Sequence, residues 1–231
     1  MVPADHSAPI TETIVITDSF TEDVRSNFSI AHLLSATMFS RAVGALEAEN
    51  EGKIFGDFWE DILANAIATV FTSVAALESY ANELFVDHAI VFPELRLEVM
   101  SKLWELYEQK PILDKYEFAL LLRQGEALNK GASPYQHIAA LIKLRNALTH
   151  YKPEWSNEQV EHAKVSNALK HKAIPSAYFP AHEPLFPKAW VSHGTACWAI
   201  RSVLLFINEF EQKASLNSRY APLWIDSALF E

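Results

Sequence analysis

Apolar residues recur at intervals of three and four along most of the chain, which is the pattern of helices that bury one face. Strand patterns are nearly absent beyond residue 28, and no segment repeats with a period of 20–50 residues that would indicate a repeat protein. The pattern therefore predicts an all-α fold. The predicted helices cover residues 28–49, 58–88, 94–109, 113–129, 134–152, 155–172 and 188–214.

Several of these boundaries carry capping signals. Asp57 is a plausible N-cap of the long second helix, and Ser133 followed by Pro134 is typical of a helix start. Residues 156–159 resemble a capping box and predict the start of an exposed helix. Four prolines within residues 173–187 predict an irregular loop before the last helix.

The sequence divides into a short arm and one domain. Residues 1–27 mix Pro, Thr, Ser and Asp around one β-branched run and predict an N-terminal arm with at most one strand. Residues 28–231 are expected to form a single all-α domain. The first residues lack the basic and apolar regions of a signal peptide, and no uninterrupted apolar run reaches the ~18 residues of a membrane span. We therefore expect a cytoplasmic protein with no membrane partner.

Composition and charge narrow the chemistry. The formal net charge of −10 argues against a general, salt-sensitive affinity for nucleic acid. The six glycines form no phosphate-binding loop, the single cysteine excludes a disulfide framework, and none of the nine histidines lies in an HExxH motif. We expect no cofactor and no metal. The one basic stretch, residues 133–172, holds six Lys and Arg against three acidic residues, together with four histidines, and is where an anionic ligand is expected.

Two helices break their own apolar pattern. Arg145 falls within the apolar arc of its helix, where an unpaired guanidinium would be costly to bury. Glu78 lies at the edge of the apolar arc of the second helix, with Asn82 one turn further on. We expect Glu78 and Arg145 to be in contact. The pair is interpreted either as a structural salt bridge that fixes helix register or as a carboxylate that orients an arginine toward a cleft.

The sequence Arg145-Asn146-x-x-x-His150, at the end of a helix, resembles the motif of the HEPN superfamily. The resemblance extends over about residues 57–214, because 75–85 look like the first core helix of the family with its embedded acid and 197–206 look like its closing helix. It implies an up-down helical bundle with extra helices, a homodimer with a composite site, and metal-independent cleavage of RNA. The implied catalytic residues are Arg145, Asn146 and His150, with Glu78 and Asn82 as supporting residues.

These residue types suit that chemistry. Histidine can act as acid or base near neutral pH, and arginine holds phosphate oxygens without losing its charge. One chain supplies one such histidine, and a two-fold dimer would bring a second. The ordinary alternative for His150 is a histidine that complements a helix dipole, and for Tyr151 and Trp155 an aromatic core anchor. The residues expected to contact RNA are Lys143, Tyr151 and Lys152, with His162, Lys164 and Lys170 as candidates for the rim, whereas Cys197 is expected to be inert core.

Three functional hypotheses stay open. The first is an endoribonuclease of toxin or host-defence type, with RNA as substrate and an antitoxin or defence-complex protein as a further partner. The alternative is a non-catalytic HEPN-like homodimer that binds RNA or a nucleotide or serves as a scaffold, which the acidic balance favours. The third is a metal-dependent hydrolase built from the scattered histidines and acids, none of which has ligand spacing.

Overall fold

The computed structural model describes residues 27–155 and 157–218. These residues form eight α-helices and one π-helical turn, and no strand occurs among them, so the prediction of an all-α fold is confirmed. Residues 1–26, which hold almost all of the predicted arm, and residues 219–231 lie outside the described ranges. The helices are α1 (Ser29–Glu49), α2 (Phe58–Val86), α3 (His88–Val91), α4 (Leu97–Tyr107), α5 (Ile112–Leu122), α6 (Tyr135–Thr149), α7 (Glu161–Leu169) and α8 (His193–Lys213), and the π-helical turn spans Leu185–Ala189.

Helix α2 is the centre of the fold. It packs against α1, α5, α6 and α8, and its Ile62 and Leu77 are fully buried. The backbone N–H and the hydroxyl of Ser29 donate to the carboxylate of Glu83, which joins the start of α1 to the end of α2 and shows that the two helices run antiparallel. By length and apolar composition α2 could also cross a membrane, although 44% of its most apolar window is buried inside the fold. This is the composition of a helix that meets apolar neighbours on most of its sides.

The apolar arc predicted for α6 is confirmed. Ile138, Leu141 and Leu144 have no exposed surface and face the core that α2 and α8 share. Two tyrosine hydroxyls inside this core are paired: the Tyr116 hydroxyl donates to the Leu77 carbonyl at 2.7 Å, and the Tyr80 hydroxyl donates to a carboxylate of α8 at 2.7 Å. The core therefore fixes the rotation of α6, and with it the direction of every side chain at the end of that helix.

Helix α5 ends at Leu122, well before the predicted end at residue 129. Its last turn docks onto the end of α8, where the Arg123 guanidinium donates to the carbonyls of Ala214 and Val91. Gln124 then adopts a positive φ of 55°, and Gly125 lies so close to the Lys213 carbonyl that no side chain would fit. The early end therefore comes from packing against a distant helix.

Other predicted boundaries shift by a few residues. The second helix ends at Val86 and a separate single turn, α3, follows. Helix α6 begins at Tyr135 with no side-chain cap from the residue before it, and Asp57 precedes α2 without a capping hydrogen bond. Helix α8 begins at His193, because the Ser192 hydroxyl accepts a hydrogen bond from the backbone of Thr195 and so caps the helix. The predicted start at residue 188 is wrong because residues 185–189 form a separate turn, which is kinked at Phe186, where the backbone is extended (φ −101°, ψ 136°).

Candidate active site

The end of α6 borders a cavity of about 360 Å³ that also involves α7 and the π-helical turn. Asn146 and His150 are one turn apart on the same face, both exposed, and His150 is the C-cap residue whose backbone N–H donates to the Asn146 carbonyl at 2.9 Å. Five of the predicted catalytic and RNA-contacting residues therefore line this cavity. Lys143, Asn146 and His150 come from the end of α6, and Tyr151 and Lys152 follow directly. The cavity is lined by Lys143, Asn146, Ala147, His150, Tyr151, Lys152, Glu161, His162, Val165 and Phe186.

The segment that follows α6 is held against α7 by His162. Nε2 of His162 lies 2.9 Å from the Lys152 carbonyl, and since a carbonyl can only accept, this nitrogen carries the proton. The His162 ring is 4% exposed, stacks on Tyr151 at 5.4 Å and meets Phe186 edge-on at 5.0 Å. His162, predicted as a candidate for the rim, does line the cavity, but it is buried. It forms a buried wall of the cavity, because the turn after α6 folds back over α7.

Glu154 takes the place of the predicted capping box. Its carboxylate accepts hydrogen bonds from the backbone N–H groups of Glu161 and His162, at 2.9 and 3.0 Å, and so caps the N-terminus of α7. These hydrogen bonds, first that of His162, lower the pKa of Glu154 against the partial burial that raises it. Glu154 Oε2 also lies 3.9 Å from Nδ1 of His162, a buried nitrogen with no hydrogen-bond partner among the described residues. Helix α7 therefore begins at Glu161, several residues after the predicted start.

Arg145 points away from this cavity, toward α2. Its guanidinium nitrogen Nη2 lies 3.9 Å from Glu78 Oε2, which confirms the contact expected from the sequence. The side chains are 26% and 43% exposed, so the pair lies at the surface edge of the α2–α6 interface. At ~100° of rotation per residue, five positions separate Arg145 from His150 by roughly 140° around the helix. A single chain therefore divides the motif between two faces of α6.

The guanidinium is incompletely paired on this face. Arg145 Nε is buried and makes no hydrogen bond within the described residues, and its approach to Glu78 is at the outer limit of an ion pair. A buried hydrogen-bond donor without an acceptor destabilises the fold. Such a donor is explained either by another group that supplies the acceptor or by a functional role of the residue. The contact with Glu78 therefore does not satisfy all the hydrogen-bond donors of Arg145.

Asn82, the second supporting residue predicted on α2, is engaged by a lysine that the sequence analysis missed. Lys115 Nζ donates to Asn82 Oδ1 at 2.8 Å and lies 5.4 Å above the ring of Trp104. Lys115 is 2% exposed. Burial lowers the pKa of its ammonium group, against the charges of Glu78 and Glu108, which raise it. Asn82 therefore supports Lys115 directly, and Lys115 adds positive charge near Glu78.

A signal for Lys115 exists in the sequence. The buried residues Ile112, Phe118 and Ala119 stand three or four positions from it and define the buried face of α5. Lys115 therefore breaks the apolar arc of α5 in the same way that Arg145 breaks the arc of α6. A charged residue within the apolar arc of a helix is therefore the sequence signal that identifies both residues.

The other residues predicted in this region differ in their exposure and in whether they line the cavity. Tyr151 is half exposed and both stacks on His162 and lines the cavity, whereas Trp155 is 80% exposed and anchors no core. Lys164 pairs with Glu161 on the exposed face of α7, and Lys170 is exposed beyond the end of that helix. Neither lysine lines the cavity.

The cavity brings together two imidazoles, a carboxamide, two ammonium groups and the carboxylate of Glu161 around an opening large enough for part of a ligand. Such a set can bind an anion and move a proton near neutral pH. Within the described residues no three His, Cys, Asp or Glu side chains converge in a way that could hold a metal ion. In comparisons with known proteins, the chain matches no family model, no curated protein and no solved structure.

Proposed function

We propose that this protein is a metal-independent endoribonuclease of HEPN type, with an up-down helical bundle that acts as a cytoplasmic homodimer in a toxin or host-defence setting. The observation that carries the proposal is the cavity at the end of α6, where Asn146 and His150 lie between two lysines while Arg145 occupies the adjoining face of the same helix. The imidazole and the guanidinium can supply the proton transfer and the positive charge that cleavage through the ribose 2′-hydroxyl requires.

The chemistry assigns a role to each group. An imidazole, His150, takes the proton of the 2′-hydroxyl or protonates the leaving 5′-oxygen. A guanidinium, Arg145, stabilises the charge that develops on the phosphorane oxygens, and Asn146 orients the imidazole or a phosphate oxygen. Lys143 and Lys152 hold the flanking phosphates, and Tyr151 offers an aromatic face for a base. The products are a 2′,3′-cyclic phosphate and a free 5′-hydroxyl.

The division of the motif between two faces of α6 favours a composite site. Arg145 is absent from the lining of the cavity that holds His150. A second copy, related by a two-fold axis along this edge of α6, would bring its own Arg145 to the His150 of the first. Two equivalent sites result, each with the imidazole of one copy and the guanidinium of the other.

The test is cleavage of total RNA by the purified full chain in EDTA, with analysis of the new 3′ ends. We expect cyclic phosphate ends in the wild type and loss of cleavage in both Arg145→Ala and His150→Ala. The matched control is His182→Gln, which removes an exposed histidine of the loop before the π-helical turn. Cleavage that persists in both alanine variants would refute the assigned residues, and cleavage that needs a divalent cation would refute the mechanism.

Two observations favour a non-catalytic HEPN-like module as the second candidate. The guanidinium of Arg145 is drawn toward Glu78, and the chain carries a net charge of −10, which weakens general RNA affinity. In that case the cavity binds RNA or a nucleotide without cleaving it, and the protein serves as a scaffold or as the partner of an antitoxin. Stable binding of labelled RNA with no cleavage, lost in Lys143→Ala and Lys152→Ala, would select this candidate.

A further inference from the structure

A cluster of polar side chains lies where the first turns of α8 pack against α1. Cys197 Sγ is 3.3 Å from Nε2 of His193, one helical turn earlier, and 3.6 Å from the hydroxyl of Ser40. Cys197 and His193 are both half-buried. The thiol and the imidazole are therefore paired at a partly accessible seam, and Cys197 is not the core residue that was predicted.

Two residues of α1 position His193, one at its backbone and one at its ring. The Glu47 carboxylate accepts a hydrogen bond from the backbone N–H of His193 at 3.1 Å. At Gly44, a Cβ would lie 3.1 Å from three atoms of the His193 ring, so the glycine creates the space that the ring occupies. Glu47 and Gly44 also line a neighbouring cavity of about 430 Å³. A nucleophile and a base are thus paired on one turn of α8, and a carboxylate of α1 holds the backbone of the base.

The charges in the cluster favour the ionised pair. Burial raises the pKa of the Cys197 thiol, but the hydrogen bonds from His193 and Ser40 and the charges of His193 and Arg201 outweigh it, so the pKa lies below its ordinary value. The hydrogen bond with Cys197 raises the pKa of His193, partial burial lowers it, and the charges of Cys197 and Glu47 raise it further, so the pKa lies above its ordinary value. Both shifts bring the two pKa values closer together, and so favour proton transfer from the thiol to the imidazole relative to the isolated groups.

We propose that Cys197 and His193 form a thiolate–imidazolium pair that makes Cys197 a site of covalent modification by hydroperoxides and, in a second step, by small-molecule thiols. The geometry of the cluster carries the proposal, because it sets a nucleophilic sulfur next to a proton donor. It is independent of the proposed action on RNA, since none of these residues lines the cavity at the end of α6.

The two steps balance as follows. The thiolate sulfur attacks the terminal oxygen of a hydroperoxide, an S–O bond forms, the O–O bond breaks, and the sulfur is oxidised by two electrons to a sulfenic acid. The imidazolium of His193 gives its proton to the departing alkoxide or hydroxide. The chain has no other cysteine, so no internal disulfide can follow. An external thiol then displaces water from the sulfenic acid and leaves a mixed disulfide on Cys197.

The experiment measures alkylation of the full chain by iodoacetamide, and sulfenic acid formation by hydrogen peroxide with dimedone as trap, by intact mass against pH. Below the pKa of a thiol, each unit of increase in that pKa lowers the thiolate fraction about tenfold. We expect His193→Gln to slow alkylation at least about threefold at slightly acid pH and to match the wild type at strongly alkaline pH. His182→Gln should follow the wild type throughout, and Cys197→Ser should form no adduct.

Gly44→Ala tests the same geometry without removal of a titratable group. Alanine favours a helix more than glycine does, and its methyl group displaces the His193 ring by a few tenths of an ångström. The variant should therefore fold and react more slowly than the wild type at slightly acid pH. The proposal is overturned if the wild type and His193→Gln share one pH profile, or if the wild-type rate rises with urea in proportion to the unfolded fraction.

Discussion

The two faces at the end of α6 have different surroundings. Arg145 lies on one face, and His150, only five positions later, lies on the other. On one face, Arg145 is about three-quarters buried against α2, within reach of Glu78. On the other, His150 is exposed at the mouth of a cavity, and no core contact depends on it. Substitution of Arg145 should therefore affect both stability and RNA cleavage, whereas substitution of His150 should affect cleavage alone. The comparison separates a residue anchored by packing from one free to meet a ligand.

The largest expected effect is the loss of cleavage in His150→Ala. Removal of a general acid or base lowers the rate of the chemical step by about 10²–10⁴-fold, and an exposed C-cap side chain contributes little to the fold. Measured as the initial rate on a labelled RNA in EDTA, cleavage should fall by at least about 100-fold while Tm stays within about 1 °C of the wild type. A variant that loses its thermal stability together with its activity would contradict the description of His150 as free of core contacts.

The next largest effect tests whether the two faces combine across a dimer. Arg145→Ala and His150→Ala should each be inactive as homodimers, yet a mixed dimer retains one site that has both residues if the site is composite. After unfolding and refolding of an equal mixture, about a quarter of wild-type activity should return, because half of the dimers are mixed and each carries one intact site of two. A mixture as inactive as its components would place both residues of each site in one chain.

A third prediction concerns the wall of the cavity rather than its open side. His162→Ala removes a buried ring and leaves the Lys152 carbonyl without its donor, which should cost about 2 kcal/mol in the free energy of unfolding. Urea unfolding monitored by circular dichroism gives this difference. Gln has an amide N–H that can replace His162 Nε2, so His162→Gln should recover part of the stability and of the RNA cleavage. Equal losses in both variants would show that ring packing, and not the hydrogen bond to Lys152, fixes the segment after α6.

Sequence periodicity was sufficient to predict features that follow from the pattern of residues within a helix. The buried arc of α6, with Ile138 and Leu141, follows from spacing alone, and so does the contact between Glu78 and Arg145, because each residue stands at an anomalous position on its helix. The pairing of Cys197 could not be found in this way, since the space for His193 is created by Gly44 on another helix.

The segments between helices were harder to predict for the same reason. The early end of α5 depends on the docking of Arg123 and Gly125 onto the end of α8, and the cap of α7 depends on Glu154, seven residues before the helix starts. These contacts join positions that no local pattern relates. Features that decide the shape of the candidate site therefore depend on tertiary packing, and the helices that carry its residues depend on local sequence.

The smallest expected effect concerns the anchored side of the comparison, where Lys115 holds Asn82. Burial lowers the pKa of Lys115 in the folded chain below its unfolded value, against the charges of Glu78 and Glu108. Between these two pKa values the unfolded chain binds a proton that the folded chain has released, so the free energy of unfolding rises with pH across this window. Met has no charge to titrate, so the stability difference between the wild type and Lys115→Met should move in favour of the wild type from about pH 7 to about pH 10.

The exposed Lys102→Met provides the control in urea unfolding, because its side chain is 77% exposed and its difference should stay nearly constant. If instead Lys115→Met gains on the wild type as the pH rises, the ammonium group is stabilised by Glu78 and Glu108 more than burial destabilises it, and the carboxylate of Glu78 is shared between Lys115 and Arg145.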